Sequence, residues 1–390
     1  MESDTFRIVV EKLVQGGKGF ARTPDGVVFI EGALPGEEVS CRYVDKKKDY
    51  SNAVAVEVLK PSEYRTEPIC PYYGICGGCD LQHLAAEEQS KLKGQILQEN
   101  LNRIGGISYT IKIPVYSGAT TGYRNRARFQ GDAKKESVGF FGRRSGSIVP
   151  IDFCPVLVPK LNELLQKPDK LINASVRAKG RRRIQSGVFA AANEIMYAIG
   201  HQELSLQVNG KQFKTEPEVF FQSNREVFST LVENMVSDLS GENAVDLYSG
   251  VGTIAAFLED RFNKVTAVER NPLCLKYAKK NLSASVQIVS QSVESWVAGI
   301  SDMKIDLLSV DPPRTGLSAD AAATIIKLQP KQILYISCDS VTFSRDMKLL
   351  AAKGGYSLSR LEAYDLYPHT SHLETGALLI REDSFKNTYF

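Results

Sequence analysis

The first sixty residues alternate between apolar and polar positions. The segments Phe6–Val10, Val27–Ile30 and Val54–Val58 show this two-residue period, which is typical of strands with one buried face. Gly16-Gly17 and Pro35-Gly36 lie between such segments and indicate tight turns. Five short strands within about sixty residues predict a small β-barrel of the OB type, which is a common nucleic-acid-binding module.

Other periodicities follow the barrel. Apolar residues between positions 85 and 104 recur at helical spacing, which predicts a packing helix that lies on the C-terminal domain. From about residue 215 the chain alternates between apolar strands and helical segments, a pattern typical of an α/β fold with a parallel sheet. The apolar positions of the predicted helix are Leu92, Ile96, Leu97, Leu101 and Ile104.

The patterns divide the 390 residues into three predicted domains. Residues 1–61 form the OB-type barrel, residues 62–214 a central and mostly β domain, and residues 215–390 a Rossmann-like α/β domain. The N-terminus lacks a basic segment followed by an apolar run, and no apolar stretch is long enough to span a bilayer. We therefore expect a cytoplasmic protein with no membrane partner, acting as a monomer.

One apolar run ends in a cysteine. Ile333–Ile336 has the composition of a central strand in a parallel sheet, and Cys338 follows at its carboxyl end, where such sheets bind ligands. A buried cysteine often only packs, so this segment alone favours a packing role. Other segments of the C-terminal domain favour a nucleophile instead.

A glycine turn predicts a nucleotide-like ligand. The strand ending at Asp246 leads into Tyr248, Gly250 and Gly252, and a helical segment follows. Glycines let the backbone approach a ligand at the start of a helix. The third glycine of a dinucleotide-binding pattern is missing, which favours S-adenosylmethionine, a ligand without phosphate. Glu269 ends the next strand, where a carboxylate can bind ribose hydroxyls.

A second loop carries a carboxylate beside this ligand. Asp311-Pro312-Pro313-Arg314 follows the strand Ile305–Val310, and the two prolines hold Asp311 rigidly near the point where the strand order reverses. Enzymes that methylate exocyclic amines place an aromatic residue after a similar Asp-Pro-Pro. Arg314 therefore counts against that reaction.

The charge is concentrated in the middle of the chain. The net charge is only +3, yet residues 116–214 contain 17 Lys and Arg against 7 Asp and Glu. Such a surplus predicts binding to a polyanion such as RNA. Arg124, Arg126 and Arg128 would project from one side of a strand. Further candidate RNA contacts are Arg143-Arg144, Arg181-Arg182-Arg183 and the loop Lys46-Lys47-Lys48, which could equally be an exposed hairpin tip.

Four of the seven cysteines have metal-ligand spacing. Cys70, Cys76 and Cys79 lie close together, and Cys154 follows much later with a proline after it. Structural zinc sites usually contain two tight pairs, whereas four unevenly spaced thiolates favour a [4Fe-4S] cluster. Zinc remains the alternative. A fourth cysteine leaves no open iron for radical cleavage of S-adenosylmethionine, which indicates a structural or RNA-contacting cluster.

Taken together, these motifs resemble the S-adenosylmethionine-dependent RNA 5-methyluridine methyltransferases, of the type that acts on 23S rRNA. The resemblance implies that Cys338 is the nucleophile and Glu374 the base. It also implies that Gln222, Tyr248, Glu269 and Asp311 line the cofactor and target-base site. It rests on a start similar to a TRAM domain (Leu13–Arg22), the four cysteines, Phe220–Asn224, Asp246–Gly252, Asp311–Arg314, Ser337-Cys338 and Pro368–Glu374.

The chemistry agrees with these residues. Uracil C5 becomes nucleophilic only after a thiolate adds to C6, and a base must then remove the C5 proton. Two departures stand out: Asp339-Ser340 replaces the usual Asn-Pro after the cysteine, and Ser292 replaces an Asn or Asp near the adenine. The sequence leaves open a tRNA T-loop target, an RNA cytosine-C5 methyltransferase and a non-catalytic cluster-bearing RNA-binding protein.

Overall fold

The N-terminal strands form a closed barrel. In the computed structural model, which describes residues 5–132, 134–179, 186–300 and 303–382, the sheet order is β1-β5-β6-β4-β3-β2. Its strands are β1 (Thr5–Val9), β2 (Lys12–Val14), β3 (Lys18–Thr23), β4 (Gly26–Glu31), β5 (Glu38–Lys46) and β6 (Tyr50–Lys60).

The barrel closes because its first segment pairs on both sides. Strand β1 is antiparallel to β5, and the continuation β2 is antiparallel to β3. At the break between them, Val10 N donates to Glu37 O while Glu11 N donates to Phe20 O. The first of the five predicted strands is therefore divided in two, since its halves pair with different neighbours.

Helix α1 (Ala86–Asn100) continues into one π-helical turn, Leu101–Gly105. Leu97 and Leu101 pack against the C-terminal sheet, whereas Leu92 and Ile96 pack against a small cluster that includes barrel residues. A buried ion pair joins Lys93 Nζ to Asp365 Oδ1 at 2.7 Å. The helix thus fills the space between barrel and C-terminal domain, and its apolar residues serve two partners rather than one.

The central segment is mostly antiparallel β. Its five-stranded sheet has the order β10-β9-β8-β11-β12, and β13 and β14 form a separate hairpin. The elements are β7 (Val115–Ser117), β8 (Arg126–Asp132), β9 (Ser137–Phe141), β10 (Ile148–Pro150), α2 (Pro159–Leu165), α3 (Pro168–Lys179), β11 (Ser186–Ala192), β12 (Tyr197–Ile199), β13 (Leu204–Val208) and β14 (Lys211–Thr215).

The C-terminal domain is a doubly wound sheet with an apolar cluster on each face. Its elements are α4 (Arg225–Val236), β15 (Gly241–Leu247), α5 (Thr253–Leu258), β16 (Phe262–Glu269), α6 (Pro272–Asn281), β17 (Gln287–Ser290), α7 (Val293–Ala298), β18 (Leu307–Val310), α8 (Ala319–Leu328), β19 (Gln332–Ser337), α9 (Ser340–Gly354), β20 (Tyr356–Asp365) and β21 (Glu374–Arg381).

The strand order of this sheet is β17-β16-β15-β18-β19-β21-β20-β7. Strands β15 to β19 are mutually parallel, and β21 is antiparallel to its neighbours β19 and β20. The order reverses between β15 and β18, and such a switch point binds ligands at the carboxyl ends of the strands. Among the described residues, no helix is both long and apolar enough to cross a membrane.

Candidate active site

The sheet register brings three reactive side chains to one edge. Strand β19 ends at Ser337, which pairs with Thr375 of the antiparallel β21. Cys338 therefore leaves β19 beside Glu374, the first residue of β21. Asp311 follows β18, whose last residue, Val310, pairs with Tyr335 of β19. The carboxyl ends of β18 and β19 thus lie beside the amino end of β21, because β21 runs antiparallel to β19.

The electrostatics of the thiol reflect this convergence. Burial first, and then the nearby carboxylates of Glu374 and Asp311, raises the pKa of Cys338 to about 12. The guanidinium of Arg314 acts in the opposite direction. In the free protein Cys338 is consequently a thiol, and it needs a proton acceptor to react.

The two carboxyls also carry raised pKa values. Complete burial raises the pKa of Glu374, and the neighbouring Asp311 raises it further, while Arg314 lowers it. Burial raises the pKa of Asp311 as well. Two buried carboxyls this close cannot both ionise easily. The pair can therefore hold one proton near neutral pH. One carboxyl of the pair is then protonated and the other is free to act as a base.

The loop after the thiol is fixed by a helix cap. The Asp339 carboxylate accepts hydrogen bonds from Val341 N at 3.0 Å and Thr342 N at 2.9 Å, so it caps α9. A side-chain cap of this kind stabilises a helix start by about 1 kcal/mol. Asp339 therefore restrains the loop although Ser340, and not a proline, follows it.

The loop before Glu374 is held from outside the sheet. His369 has a left-handed backbone, with φ of +66°, and its carbonyl accepts hydrogen bonds from Asp80 N and Leu81 N. Its own N–H donates to Gln89 Oε1 at 2.7 Å. His372 Nε2 lies 3.3 Å from the guanidinium of Arg314. We call residues 368–373, which precede Glu374, the base loop. Residues of the central segment and α1 hold the base loop in place.

A separate cavity of about 410 Å³ lies at the switch point. Tyr248 and Glu269 line it, as the sequence predicted for cofactor residues. The backbone of the segment Pro313–Ser318 closes its other side. The lining residues that the motifs did not single out are Val268, Arg270, Gln291, Val293, Glu294, Pro313, Thr315, Gly316, Leu317 and Ser318.

The glycine turn contributes Tyr248 to this cavity, whereas Gly250 and Gly252 lie outside its lining. Tyr248, Gly250 and Gly252 all have positive φ. A Cβ at Gly252 would lie 2.8 Å from Leu282, so no other residue fits there. Gly250 N donates to one Glu269 oxygen at 2.9 Å, and the other accepts from Arg270 N and Asn271 N. Glu269 is thereby oriented before any ligand binds.

Gln222 and Asp311 lie outside that cavity lining. Tyr367 Oη donates to Gln222 Oε1 at 3.5 Å, and the pKa of Tyr367 is raised by burial and by the nearby Glu374 and Cys338. Gln222 therefore belongs to the surroundings of the thiol. Ser292 instead caps α7, because its hydroxyl accepts from Ser295 N, and its neighbour Gln291 lines the cavity.

The four predicted cysteine ligands surround one cavity. Cys70, Cys76, Cys79 and Cys154 all line a space of about 220 Å³. Burial first, and then the nearness of the other cysteines, raises the pKa of Cys79 to about 12. Within the part of the chain that the structure describes, no three Cys, His, Asp or Glu side chains are grouped to hold one metal ion.

The arginine row follows the predicted alternation. Arg124, Arg126 and Arg128 lie on one side of the chain, and the residues between them are buried. The guanidinium carbons of Arg126 and Arg128 lie 4.4 and 5.2 Å from the ring centre of Phe189. Arg124 and Arg128 also line the cysteine cavity, so the row adjoins the predicted cluster.

Two other predicted RNA contacts are engaged within the protein. Arg143 pairs with Glu31 at 2.7 Å and with Asp80 at 3.3 Å, and Arg144 pairs with the same Glu31. Acidic residues of the barrel and the cysteine segment thus pair with both arginines, and their role as RNA contacts stays a prediction. The Lys46–Lys48 segment is an exposed hairpin tip, and residues 181–183 lie outside the described residues.

The open sheet, its glycine turn and the cavity at the switch point define a Rossmann-like methyltransferase fold. The crystal structure of the Pyrococcus abyssi tRNA (uracil-54, C5)-methyltransferase in complex with S-adenosyl-L-homocysteine shares this fold. Its TM-score is 0.74 at 23% identity, over 96% of this chain and 99% of that one.

Sequence comparisons identify the family. Residues 160–382 match the tRNA (Uracil-5-)-methyltransferase family and residues 1–56 match the TRAM domain. An uncharacterised RNA methyltransferase of Aquifex aeolicus is 31% identical over 98% of this chain and all of its own length. The Shewanella amazonensis 23S rRNA (uracil(1939)-C(5))-methyltransferase RlmD is 32% identical over 96% of each chain. The chain belongs to the uracil-5 RNA methyltransferase family and begins with a TRAM domain.

Proposed function

We propose that this protein transfers the methyl group of S-adenosylmethionine to C5 of one uridine in 23S rRNA. The observation that carries the proposal is the meeting of Cys338 and Glu374, which the β19–β21 register places side by side at the sheet edge. Relatives named as 23S rRNA uracil-C5 methyltransferases match nearly the whole chain, which favours ribosomal RNA as the substrate.

In the proposed reaction, Cys338 passes its proton to the Asp311 carboxylate, and the resulting thiolate adds to C6 of the flipped uracil, so that an S–C6 bond forms and the C5–C6 double bond opens. The displaced electron pair makes C5 nucleophilic, and C5 takes the methyl group from the sulfonium of S-adenosylmethionine, leaving S-adenosylhomocysteine. The Glu374 carboxylate then removes the C5 proton. The C5–C6 double bond returns and the S–C6 bond breaks, which releases Cys338. Asp311 returns the proton when the thiolate is released.

The remaining residues bind and orient. Tyr248, Gly250, Gly252 and Glu269 hold the adenosyl and ribose groups in the switch-point cavity. Asp311 lies near both Cys338 and Glu374, where it can share a proton with Glu374. Gln222 lies on the target-base side through its contact with Tyr367.

We also propose three domains with limits at residues 61 and 214. The barrel (1–61) and the central domain (62–214) bind RNA, and residues 215–390 carry out the transfer. The exposed Lys46–Lys48 tip and the Arg124–Arg128 row supply positive charge for phosphates and unstacked bases. The barrel has a sheet of its own, which supports the limit at residue 61, whereas β7 of the central domain pairs with β20 of the C-terminal sheet.

The substrate assignment has a direct test. Ribosomal RNA and tRNA from a strain lacking this gene are digested to nucleosides, and 5-methyluridine is measured by mass spectrometry. We expect 23S rRNA to lose about one 5-methyluridine per molecule and tRNA to keep its level; purified enzyme should restore the lost methyl group. Loss in tRNA alone would redirect the assignment to the T-loop, and failure of the purified enzyme on both RNAs would contradict it.

We propose that the cysteine cavity holds a [4Fe-4S] cluster. It is bounded by all four thiols and by two arginines that can balance the negative charge of a thiolate-ligated cluster. Cys70, Cys76, Cys79 and Cys154 would hold the cluster, which would cross-link the cysteine segment to the central sheet. Its contribution is to local structure, and no step of the methyl transfer uses it.

Metal analysis separates this cluster from zinc. Protein purified without oxygen should contain roughly four iron and four sulfide per chain. Cys154→Ser should lose most of that iron, while Cys274→Ser, at a cysteine buried in the C-terminal core, should keep it. About one zinc per chain and no sulfide would show the alternative site.

A further inference from the structure

The turn between β2 and β3 of the barrel contacts the loop that carries the proposed nucleophile. We define the barrel turn as Gln15–Gly17. Ser340 Oγ donates to Gln15 Oε1 at 2.9 Å, and Asn100 Nδ2 of α1 donates to the same hydroxyl at 2.8 Å. Ser340 is buried and follows Cys338 by two residues. One hydroxyl therefore ties the start of α9 to both the barrel and α1.

The same turn contacts the base loop. Gly17 is buried with φ of +71°. A Cβ there would come within 3.2 to 3.3 Å of Leu81, Asp80 and Ser371. The Asp80 carboxylate in turn accepts hydrogen bonds from Ser371 N and Ser371 Oγ, each at 3.2 Å. Ser371 lies three residues before Glu374, so the barrel turn lies against both loops that flank the reacting groups.

Sheet register alone does not fix these loops to the accuracy that catalysis needs. Misplacement of a reacting group by about 1 Å can cost about a hundredfold in rate. Gly16 and Gly17 both have positive φ, which gives the turn a tight shape that other residues rarely adopt. A tight turn that contacts both loops can set their separation.

We propose that the barrel turn is a positioning element for the reaction, in addition to any RNA affinity of the barrel. Gln15 is the positioning residue for the Cys338 loop, and it acts through Ser340. The proposal rests on the proposed role of Cys338. It differs from a purely RNA-binding role because its effect persists when RNA is saturating.

The test uses an RNA with 5-fluorouridine at the target position. Fluorine replaces the proton that the base must remove, so the S–C6 bond persists after methyl transfer and the covalent complex can be counted on a denaturing gel. Gln15→Met keeps the side-chain length and removes the acceptor, whereas Gln15→Glu keeps an acceptor. Glu57→Met, at an exposed barrel position on β6, is the control for the new methionine.

At saturating RNA and S-adenosylmethionine, Gln15→Met should form the covalent complex about tenfold more slowly than the wild type. Its RNA Kd should stay within about twofold, and Gln15→Glu and Glu57→Met should keep the wild-type rate. Ser340→Ala should show the same defect. The double variant Gln15→Met/Ser340→Ala should be no slower than Ser340→Ala, because the hydrogen bond that Gln15→Met removes is already absent in Ser340→Ala.

An unchanged rate in folded Gln15→Met would overturn the proposal, as would a loss of RNA affinity without a change in rate. Equal slowing in Gln15→Glu would also contradict it. If Gln15→Met unfolds at a lower temperature, Ser340→Ala and Gln15→Glu decide the question. A wild-type enzyme that forms no covalent complex would instead contradict the role of Cys338.

Discussion

Cys338→Ala is expected to lower methyl transfer by about four or more orders of magnitude while the RNA and cofactor affinities stay within a few fold. The thiol forms the bond that makes C5 nucleophilic, and no other side chain at the sheet edge can replace it. Because Cys338 lies beside two carboxyls, we expect its loss to affect the chemical step and not the binding of RNA or cofactor. Single-turnover transfer from radiolabelled S-adenosylmethionine, with separate binding titrations, measures both effects.

A matched control is available in the barrel. Cys41 is fully buried among apolar residues, so Cys41→Ala should cost about 1 kcal/mol of stability and leave the rate unchanged. Turnover by Cys338→Ala above about one per cent of the wild-type rate would remove Cys338 from the mechanism. Such a result would favour a transfer without a covalent intermediate.

Glu374→Gln is expected to stop the reaction one step later. Addition and methyl transfer can still occur, but the C5 proton has no acceptor, so release should slow by about two to four orders of magnitude. The enzyme should then remain bound to ordinary uridine RNA through Cys338. A band of protein plus RNA on a denaturing gel, carrying the transferred methyl group, is the expected result.

Glu382→Gln is the control for this change, because Glu382 is exposed just beyond the far end of the same strand. It should turn over normally and leave no covalent band. If Glu374→Gln turns over at the wild-type rate, another group removes the proton. If it forms no adduct while Cys338 is intact, Glu374 acts before or during the addition.

The pH dependence of stability gives an independent measure of Glu374. Because its pKa is raised in the folded protein, the folded state binds more protons than the unfolded state above the ordinary value of about 4.3. The wild type should therefore lose stability as pH rises above that value. Glu374→Gln lacks this loss, so its free energy of unfolding should exceed that of the wild type most at alkaline pH. Urea unfolding at several pH values provides the comparison.

The positions of the reacting groups explain why a sheet of this order suits the reaction. Parallel strands β18 and β19 deliver Asp311 and Cys338 at their carboxyl ends, whereas the antiparallel β21 delivers Glu374 at its amino end. The base can therefore lie beside the nucleophile on the adjacent strand. The methyl donor cavity lies across the same edge, next to the Pro313–Ser318 segment.

Local chemistry was readable in the sequence. Alternation predicted the barrel, the glycine turn and Glu269 predicted the ligand cavity, and the arginine alternation predicted the row on one face. These features follow from the alternation of side chains along a strand or from backbone conformations that only certain residues adopt. The cysteine spacing likewise identified four residues that line one cavity.

Contacts between distant segments were decided only by the tertiary structure. Arg143 and Arg144 were predicted to contact RNA, and the structure pairs both with Glu31, more than a hundred residues earlier in the chain. The sequence left open whether Ser292 contacts the cofactor; in the structure its hydroxyl caps α7, and Gln291 lines the cavity. Likewise, the sequence showed only that Ser340 stands where the family usually has proline. In the structure the Ser340 hydroxyl is hydrogen-bonded to Gln15 and Asn100.

The sequence by itself therefore determined which elements form and which residues are candidates for the chemistry, because periodicity and residue type act locally. Only the tertiary structure decided how the loops holding Cys338 and Glu374 are braced. That bracing comes from the barrel turn, Asp80 and α1, whose partners lie hundreds of residues away in the chain. Hydrogen bonds and close packing between such segments depend on how the domains dock, which no local pattern specifies.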